Sequence, residues 1–472
     1  MAIDTLLTPN RIGLFIVVWT AIVMSIGLAN SGTLGGYDDA VYAHEGREML
    51  VNRDFWTPHL NFELDFDKPP LFIWMEAASF SVFGESDRAA RFPSVLCGLL
   101  TIILVFLIGR ELGVEPWVAP FAAIALATMR SFLKLSNGAM TDIPYVALFT
   151  AAIYFFLLSR RKVPFALIAA GVTTGLAMLI RSPMGLFPFA VILLLTVFST
   201  KSVAPLFRLD FLLAALIAVL IPAVWYWHEY SVYGTPFFSA HLGNILGHAA
   251  DPNAMNGARK YVYDLWLVAY AALPYSILLP VTAYLAWVKR RHLSDSVLLT
   301  TCTVWIAVAV IPYCFASVKN GRYTMPALPA IAILAAWTSV KLLSTEQMRK
   351  VALSFVVILT VGLVPIVVFQ QQIDRAPDMH PLGTIVLQET SIDEPVYLYT
   401  PDPDYIKTRN ELLWYGHRRV GELRDLNGLD DVLARPSSLL IIDRATFDGR
   451  VKQLMGIKVL AASPDYILVR VI

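Results

Sequence analysis

The sequence predicts an all-α polytopic membrane protein with a small α/β domain at its C-terminal end. Three observations predict it. Of 472 residues, 57% are hydrophobic and only 15% are charged, against roughly a quarter charged in soluble domains. The mean hydropathy is +0.61, and apolar side chains at that density would leave a water-soluble globule without a polar surface. The apolar residues are also gathered into bilayer-length runs up to about residue 370, beyond which charge, proline and aspartate return. The same values exclude a disordered chain, a coiled coil and an ordinary soluble enzyme. A formal net charge of +1 offers no footprint for nucleic acid. Cys97, Cys302 and Cys314 all sit in apolar runs, so neither a disulfide framework nor a thiolate metal site is expected.

A bilayer core of about 30 Å takes about 20 apolar residues per helix, with roughly 17 as the lower limit. On that rule eleven spans are expected, at 12–30, 91–109, 117–133, 142–159, 163–180, 183–199, 210–230, 264–288, 296–316, 323–340 and 351–370. The first is too long for a signal-peptide core and lacks an A-x-A site, so it reads as an uncleaved span. The run 70–84 is shorter, carries Glu76, and is expected to lie along the interface.

Lys and Arg set the orientation, because short loops rich in them stay cytoplasmic. With the N-terminus inside, the inner loops carry Arg110, then Arg160, Arg161 and Lys162, then Lys201 and Arg208, then Lys289, Arg290 and Arg291, then Lys341, Arg349 and Lys350. The short outer loops hold only Lys134, Arg181, Lys319 and Arg322. The outer face then receives loops 31–90 and 231–263 and everything beyond 370. The chain thus divides into a membrane domain, 1–370, and an outer α/β domain, 371–472. In the latter, strands are expected at 395–400, 438–443 and 466–472 and helices at 404–416 and 445–455.

The outer loops concentrate the chemistry. Asp38 and Asp39 adjoin, just before a helical stretch. Either alone suits an N-cap, but two neighbouring carboxylates exceed a cap's need, and repulsion between them raises one pKa, as a general base requires. In Asp67-Lys68-Pro69-Pro70 the prolines hold Lys68 extended and aim a cation near the headgroups, although snorkelling alone also accounts for a lysine there. Asp142, two residues before Pro144, suits both a cap and a site residue. Arg181, Lys319, Arg322 and Tyr323 open helices on the same outer face. His241 and His248 are seven apart and could share a helical face, but no third ligand is placed within their loop; a carboxylate from another loop, such as Asp67, could complete a metal site. Acids and fixed cations on one membrane face are what cleavage of a lipid-linked phosphate ester requires. Lys68, Arg322 and Arg181 would hold the phosphate, and Asp38 would act as base.

The ordered series Asp38-Asp39-x-x-Tyr42, Arg47-Glu48-Met49-Leu50, Asp67-Lys68-Pro69-Pro70, Arg91-Phe92-Pro93-Ser94, Thr141-Asp142-x-Pro144 and Arg322-Tyr323-x-x-Pro326-Ala327-Leu328-Pro329 resembles the GT-C glycosyltransferases. Within them it is most similar to the bacterial branch of lipid A aminoarabinose transferases and protein O-mannosyltransferase relatives. The match runs in order from about residue 10 to 345. The resemblance implies a GT-C-type fold in the bacterial inner membrane, with an active site facing the periplasm. It implies inverting transfer of a sugar from a polyprenyl-phosphate donor to lipid A, a glycan or a protein, among membrane lipids and without nucleic acid. By resemblance Asp38 is the base, Asp39 its neighbour, Lys68 the residue near the carrier phosphate and Asp142 the later acid. Tyr42, Tyr323 and Lys319 then line the substrate cleft. Aminoarabinose-type members also hold a divalent metal through the acid of the Lys-Pro-Pro motif and a loop histidine, which fall on Asp67 and His241. Two positions depart from that type: Val41 stands where an Arg precedes the tyrosine, and Arg181-Ser182-Pro183 replaces Lys-Gly-Pro. The rival reading is a transporter or flippase of a lipid-linked sugar. It calls for ionisable residues near the bilayer midplane, whereas here the span interiors are nearly free of charge.

Overall fold

The computed structural model describes residues 8–29, 32–35, 38–113, 115–249, 259–289, 293–316, 319–373, 379–391, 393–401 and 405–472. The chain packs into two compact units. One comprises Met1–Ala29, Phe66–Phe72 and Arg91–Val368; the other comprises Asn30–Asp65, Ile73–Ala90 and Phe369–Ile472.

The first unit is helical. Among the described residues, six helices are long and apolar enough to cross a membrane: Pro9–Ala29, Asp87–Glu111, Asp142–Arg160, Leu209–Tyr233, Asp295–Phe315 and Gly321–Leu342. Asp87–Glu111 begins at its N-terminal end in the second unit; it opens on Asp87 and closes on Arg110, charges that suit the two ends of a helix dipole. Two further segments are broken. Val118–Thr128 and Arg130–Ser136 meet at 67°, and Tyr261–Ala271 and Tyr275–Val288 at 113°. The first break is one extended residue, Met129. The second falls at Pro274, which has no N–H for the ladder and drives Leu273 out of helical geometry.

Six to eight crossings among the described residues, by length and composition, therefore stand against the eleven expected. The expected span 264–288 is the sharply bent pair. The expected 163–180 is Ala166–Met178, a helix of 13 residues and about 20 Å, short of a bilayer core. The expected 183–199 is Met184–Thr200, in the shorter class of 10–17 residues. The expected 351–370 lies in Thr345–Ile373, where the side chains of 359–360 and 363–373 fall outside the described residues.

Small residues let these helices close up. A Cβ on Gly171 would stand 2.3 Å from the Ala214 carbonyl oxygen, and one on Gly175 would stand 2.9 Å from Ile221 Cβ. This Gly-x-x-x-Gly stripe seats Ala166–Met178 on Leu209–Tyr233, the packing expected where lipid supplies no hydrophobic drive between helices. Burial separates inner from outer helices: 83% of the Gly321–Leu342 window is enclosed, but only 28% of Leu209–Tyr233. Leu212, Leu216, Val219, Leu220, Val224 and Trp227 of the latter are exposed, a lipid-facing surface.

The second unit is built on a five-stranded sheet of β3 (Val396–Tyr399), β4 (Val420–Leu423), β5 (Leu439–Asp443), β6 (Ile457–Ala462) and β7 (Tyr466–Val471), in the order β4-β3-β5-β7-β6. Earlier in the chain, β1 (His59–Leu60) and β2 (Glu63–Leu64) form a small antiparallel hairpin. β3 pairs in parallel with β4 and β5, while β5–β7 and β6–β7 are antiparallel. Strand alternation feeds two cores. Leu439 and Ile441 join Met379, Leu382, Leu412 and Leu413 on one face; Leu440 and Ile442 join Leu429, Phe447 and Val451 on the other. Strands β3, β5 and β7 and the Tyr405–Gly416 helix are legible in the sequence. β4 and β6 lie outside the expected strands: β4 is short and flanked by charge, and β6 is an edge strand with only partial burial.

The first outer segment packs within this same unit. The Asn61 side chain brackets the start of β4, its Nδ2 donating to the Val420 carbonyl at 3.0 Å and its Oδ1 accepting from the Val420 N–H at 2.8 Å. Arg47, on the Asp39–Asn52 helix, donates at 2.8 Å to the carbonyls of both Leu413 and Trp414, at the end of the Tyr405–Gly416 helix. That is where unpaired carbonyls and a negative dipole end seek a cation.

Candidate functional site

The expected site residues fall in both units. Asp67, Lys68, Asp142, Arg181, His241, Lys319, Arg322 and Tyr323 belong to the first; Asp38, Asp39 and Tyr42 belong to the second.

In the first unit, Asp142 is the opening residue of its helix rather than the cap. Thr141 holds the cap position without a side-chain cap bond. The Asp142 carboxylate instead accepts from Arg181 Nη2 at 2.5 Å, with side chains only 1% and 10% exposed. The Arg181 guanidinium lies 5.8 Å from the ring centre of Tyr145 and 5.2 Å from that of Tyr323, and Tyr323 stacks on Tyr313 at 5.5 Å. A buried cation thus finds one carboxylate and two aromatic faces. Tyr145 sits three residues after Asp142, on the same helical face. Its hydroxyl donates to the Met184 carbonyl at 2.6 Å and ties this helix to the turn after Arg181.

Lys319 is expected in the cleft, but its ammonium is engaged inside the fold. It donates to Asp264 at 2.5 Å and to the carbonyls of Tyr313 and Cys314 at 2.8 and 3.2 Å. Three acceptors satisfy the three donors that a lysine has. Arg322 is half-buried; its backbone N–H donates to Asn320 Oδ1 at 3.0 Å, which caps the turn Gly321–Ala327.

Lys68 stays partly exposed, at 29%, and pairs with Asp67 at 2.9 Å. In the same unit His241 is buried, and its Nδ1–H donates to the Phe66 carbonyl at 2.7 Å. With that proton on Nδ1, Nε2 accepts from the Tyr226 hydroxyl at 3.1 Å. Burial holds the His241 ring below its usual pKa, with the Phe66 carbonyl and Asp67 opposing and Lys68 adding to the shift, so the ring is neutral at pH 7. The expected metal pair does not fit a metal centre. Both His241 nitrogens are engaged, Asp67 is held by Lys68, and among the described residues no group of three His, Cys, Asp or Glu side chains is placed to hold an ion. His248 lies where side chains are outside the described residues.

Tyr226 also lines an apolar groove of about 320 Å³ along Leu209–Tyr233, together with Met178, Val219, Pro222, Trp227 and Phe238. One hydrogen-bonded chain, Tyr226–His241–Phe66, therefore leads from the groove to the Asp67–Lys68 pair.

In the second unit, Asp38 holds the N-cap position of Asp39–Asn52 but makes no side-chain cap bond, so capping does not account for the acidic pair. Tyr42 is buried in the same helix. Further along it, His44, Arg47 and Glu48 form a buried cluster in which His44 touches both neighbours. Burial and the Arg47 charge push His44 down to about 4 and His417 to about 3. Sequence reasoning missed Asp264, Tyr145 and Tyr313. Only Tyr145 had a local signal, its three-residue spacing from Asp142; the other two meet their partners through tertiary packing alone.

Comparison with known proteins follows the same lines. The family model described as dolichyl-phosphate-mannose-protein mannosyltransferase matches residues 67–227. The chain is 25% identical over 379 residues, 76% of its own length, to the undecaprenyl phosphate-alpha-4-amino-4-deoxy-L-arabinose arabinosyl transferase 2 of Proteus mirabilis. It spans 60–65% of the length of the first curated relatives it matches. Among solved structures, ArnT from Cupriavidus metallidurans bound to undecaprenyl phosphate superposes with a TM-score of 0.74 at 17% identity, covering 96% of this chain and 97% of that one. The Archaeoglobus fulgidus oligosaccharyltransferase superposes with a TM-score of 0.56 at 14% identity, covering 93% and 70%. These relatives lend nothing to the transporter reading.

Proposed function

We propose that the chain is a member of the GT-C superfamily and, from that premise, an inverting membrane glycosyltransferase; its matches to the mannosyltransferase model and to the arabinosyl transferases support that reading. It takes a sugar from a polyprenyl-phosphate donor, of the undecaprenyl class that its relatives' names point to, and passes it to an acceptor on the periplasmic face of the bacterial inner membrane. The acceptor is lipid A, a glycan or a protein. One observation carries this reading: an apolar groove facing lipid is linked through Tyr226 and His241 to a partly exposed lysine. A greasy tail with an anionic head has the matching polarity, because the tail gains by burial and the phosphate gains a charge-assisted hydrogen bond.

In the proposed reaction Asp38 takes the proton from the acceptor hydroxyl. The oxygen attacks the anomeric carbon opposite the phosphate, the carbon–oxygen bond to phosphate breaks, and the carrier leaves with that electron pair. Lys68 and Arg322 stabilise the charge that develops on the phosphate. Asp142 and Arg181 pair with each other and act as positioning residues that fix Tyr145 and Tyr323, with Arg181 ranking behind Lys68 and Arg322 for the phosphate. Lys319 likewise holds its loop to Asp264. No step is assigned to a metal. Mass spectrometry of lipid A and of polyprenyl-linked sugars, from cells with and without this chain, tests the reading. Deletion should cause one donor to accumulate and one glycosylated product to vanish; unchanged pools would overturn it.

A further inference from the structure

Glu76 has no part in the reaction above, yet its setting is unusual. It lies on Leu71–Phe83, a helix of 13 residues that is too short to span a bilayer. Its side chain is fully buried, and among the described residues neither carboxyl oxygen has a hydrogen-bond partner. The helix Asp39–Asn52 lies directly against it: a Cβ on Gly46 would stand 3.0 Å from Glu76 Cβ and 3.2 Å from Phe80 Cε2. Met49, Ile73 and Ala77 make the neighbouring core apolar.

Asp39 and Gly46 are seven residues apart, so they share one face of their helix, and Gly46 shows that this face meets Glu76. His44 and Glu48 lie on the opposite side, and Arg47, on one flank, takes the carbonyls of Leu413 and Trp414. Glu45 is on the other flank. On the other elements of this unit, Asp87 accepts from the Trp414 indole and the Tyr415 hydroxyl. Asp39 is the charged group that bears on Glu76. Burial first, and Asp39 second, push the Glu76 carboxyl well above its ordinary value. An ionised carboxylate without partners in such a core is costly, and the proton is the cheapest remedy.

We propose that Glu76 is a positioning residue that stays a neutral carboxylic acid behind the acidic pair, so that Asp39, and not Glu76, carries the charge they would otherwise contest. A carboxylate at Glu76 would drive a proton onto Asp39 and blunt the pair. A neutral Glu76 adds no negative charge beside the pair. The inference rests on the assignment of that pair to proton abstraction, but its test needs no substrate.

Infrared difference spectra of the full-length chain in detergent supply that test. At neutral pH the unsubstituted protein should show a protonated carboxylic-acid C=O band that shifts when the protein carries isotope-labelled glutamate and is missing in Glu76→Gln. Asp39→Asn should move the pH at which the band bleaches downward by about one unit, as expected for coupled carboxyls. The labelled unsubstituted protein keeps the result independent of whether a variant folds. If no glutamate band is present at neutral pH, or if Asp39→Asn leaves its midpoint unmoved, the proposal is overturned. Should Asp38→Asn retain full transfer while the band behaves as described, the catalytic reading fails and the protonation of Glu76 stands.

Discussion

Asp142 and Asp39 are both aspartates at the first position of a helix, and the fold treats them in opposite ways. Asp142 meets Arg181 at 2.5 Å in a pocket walled by Tyr145 and Tyr323. That ion pair holds the start of its helix to the turn at Arg181. Asp39 adjoins another acid, Asp38, and acts on a buried third, Glu76. Like charges raise proton affinity instead of cancelling it. The two helix starts thus differ in what their acids meet: Asp142 faces a cation, whereas Asp39 bears on a buried acid.

The comparison breaks most sharply at Asp38. Asp38→Asn should insert normally and lose about 10²–10⁴ in transfer rate, measured as turnover of a polyprenyl-linked donor in proteoliposomes; near wild-type turnover would show that the acidic pair is not the base. On the framework side, Arg181→Ala strands a buried carboxylate and should cost about 3–5 kcal/mol, read from unfolding in detergent, while Arg181→Ala with Asp142→Asn should recover much of that loss. Lys68→Met should lower kcat/KM for the donor about 10- to 100-fold, the worth of a charge-assisted hydrogen bond of about 1.5–3 kcal/mol, with Lys68→Arg closer to wild type; equal losses in both would mean that geometry rather than charge matters there.

A smaller effect concerns pH. His44 and His417 have folded-state pKa values depressed to about 4 and about 3, against an ordinary value near 6.5. The unfolded chain therefore binds more protons below that value, and stability falls as pH drops from about 6.5 through the folded pKa values. The thermal midpoint should decline over that window, and His44→Gln should flatten the decline; a slope that His44→Gln leaves unchanged would assign it to other groups. Smallest of all, Arg419→Ala removes an ion pair with Glu63 whose side chains are 58% and 67% exposed, and stability should shift by about 1 kcal/mol at most. A larger loss would mean that exposure does not discount ion pairs in this chain as it does elsewhere.

Much of the candidate site was legible because its residues sit in short, dense stretches. Asp38-Asp39 and Asp67-Lys68-Pro69-Pro70 advertise themselves by adjacency. The partners of Asp142 and Lys319 did not, because Arg181 is 39 residues away and Asp264 is 55 residues away, and which helix faces which is decided by packing. Glu76 was visible only as a polar interruption of an apolar run. Its isolation became visible once Gly46 was seen to bring two helices together. In the fold, long apolar runs were easy to read, but the breaks at Met129 and Pro274 reduced the number of straight crossings.

By itself the sequence determined the solvent each part of this protein needs: lipid for most of the first 370 residues, water for the last hundred or so. Hydropathy is additive along a chain, so local windows suffice to read it. Only the tertiary structure decided that Asp142 meets Arg181 and Lys319 meets Asp264, and that most of the first outer segment packs within the unit of the C-terminal sheet. Those outcomes depend on distances between residues far apart in sequence, and in a medium of low dielectric a few ångströms of separation set the proton affinity of a carboxylate.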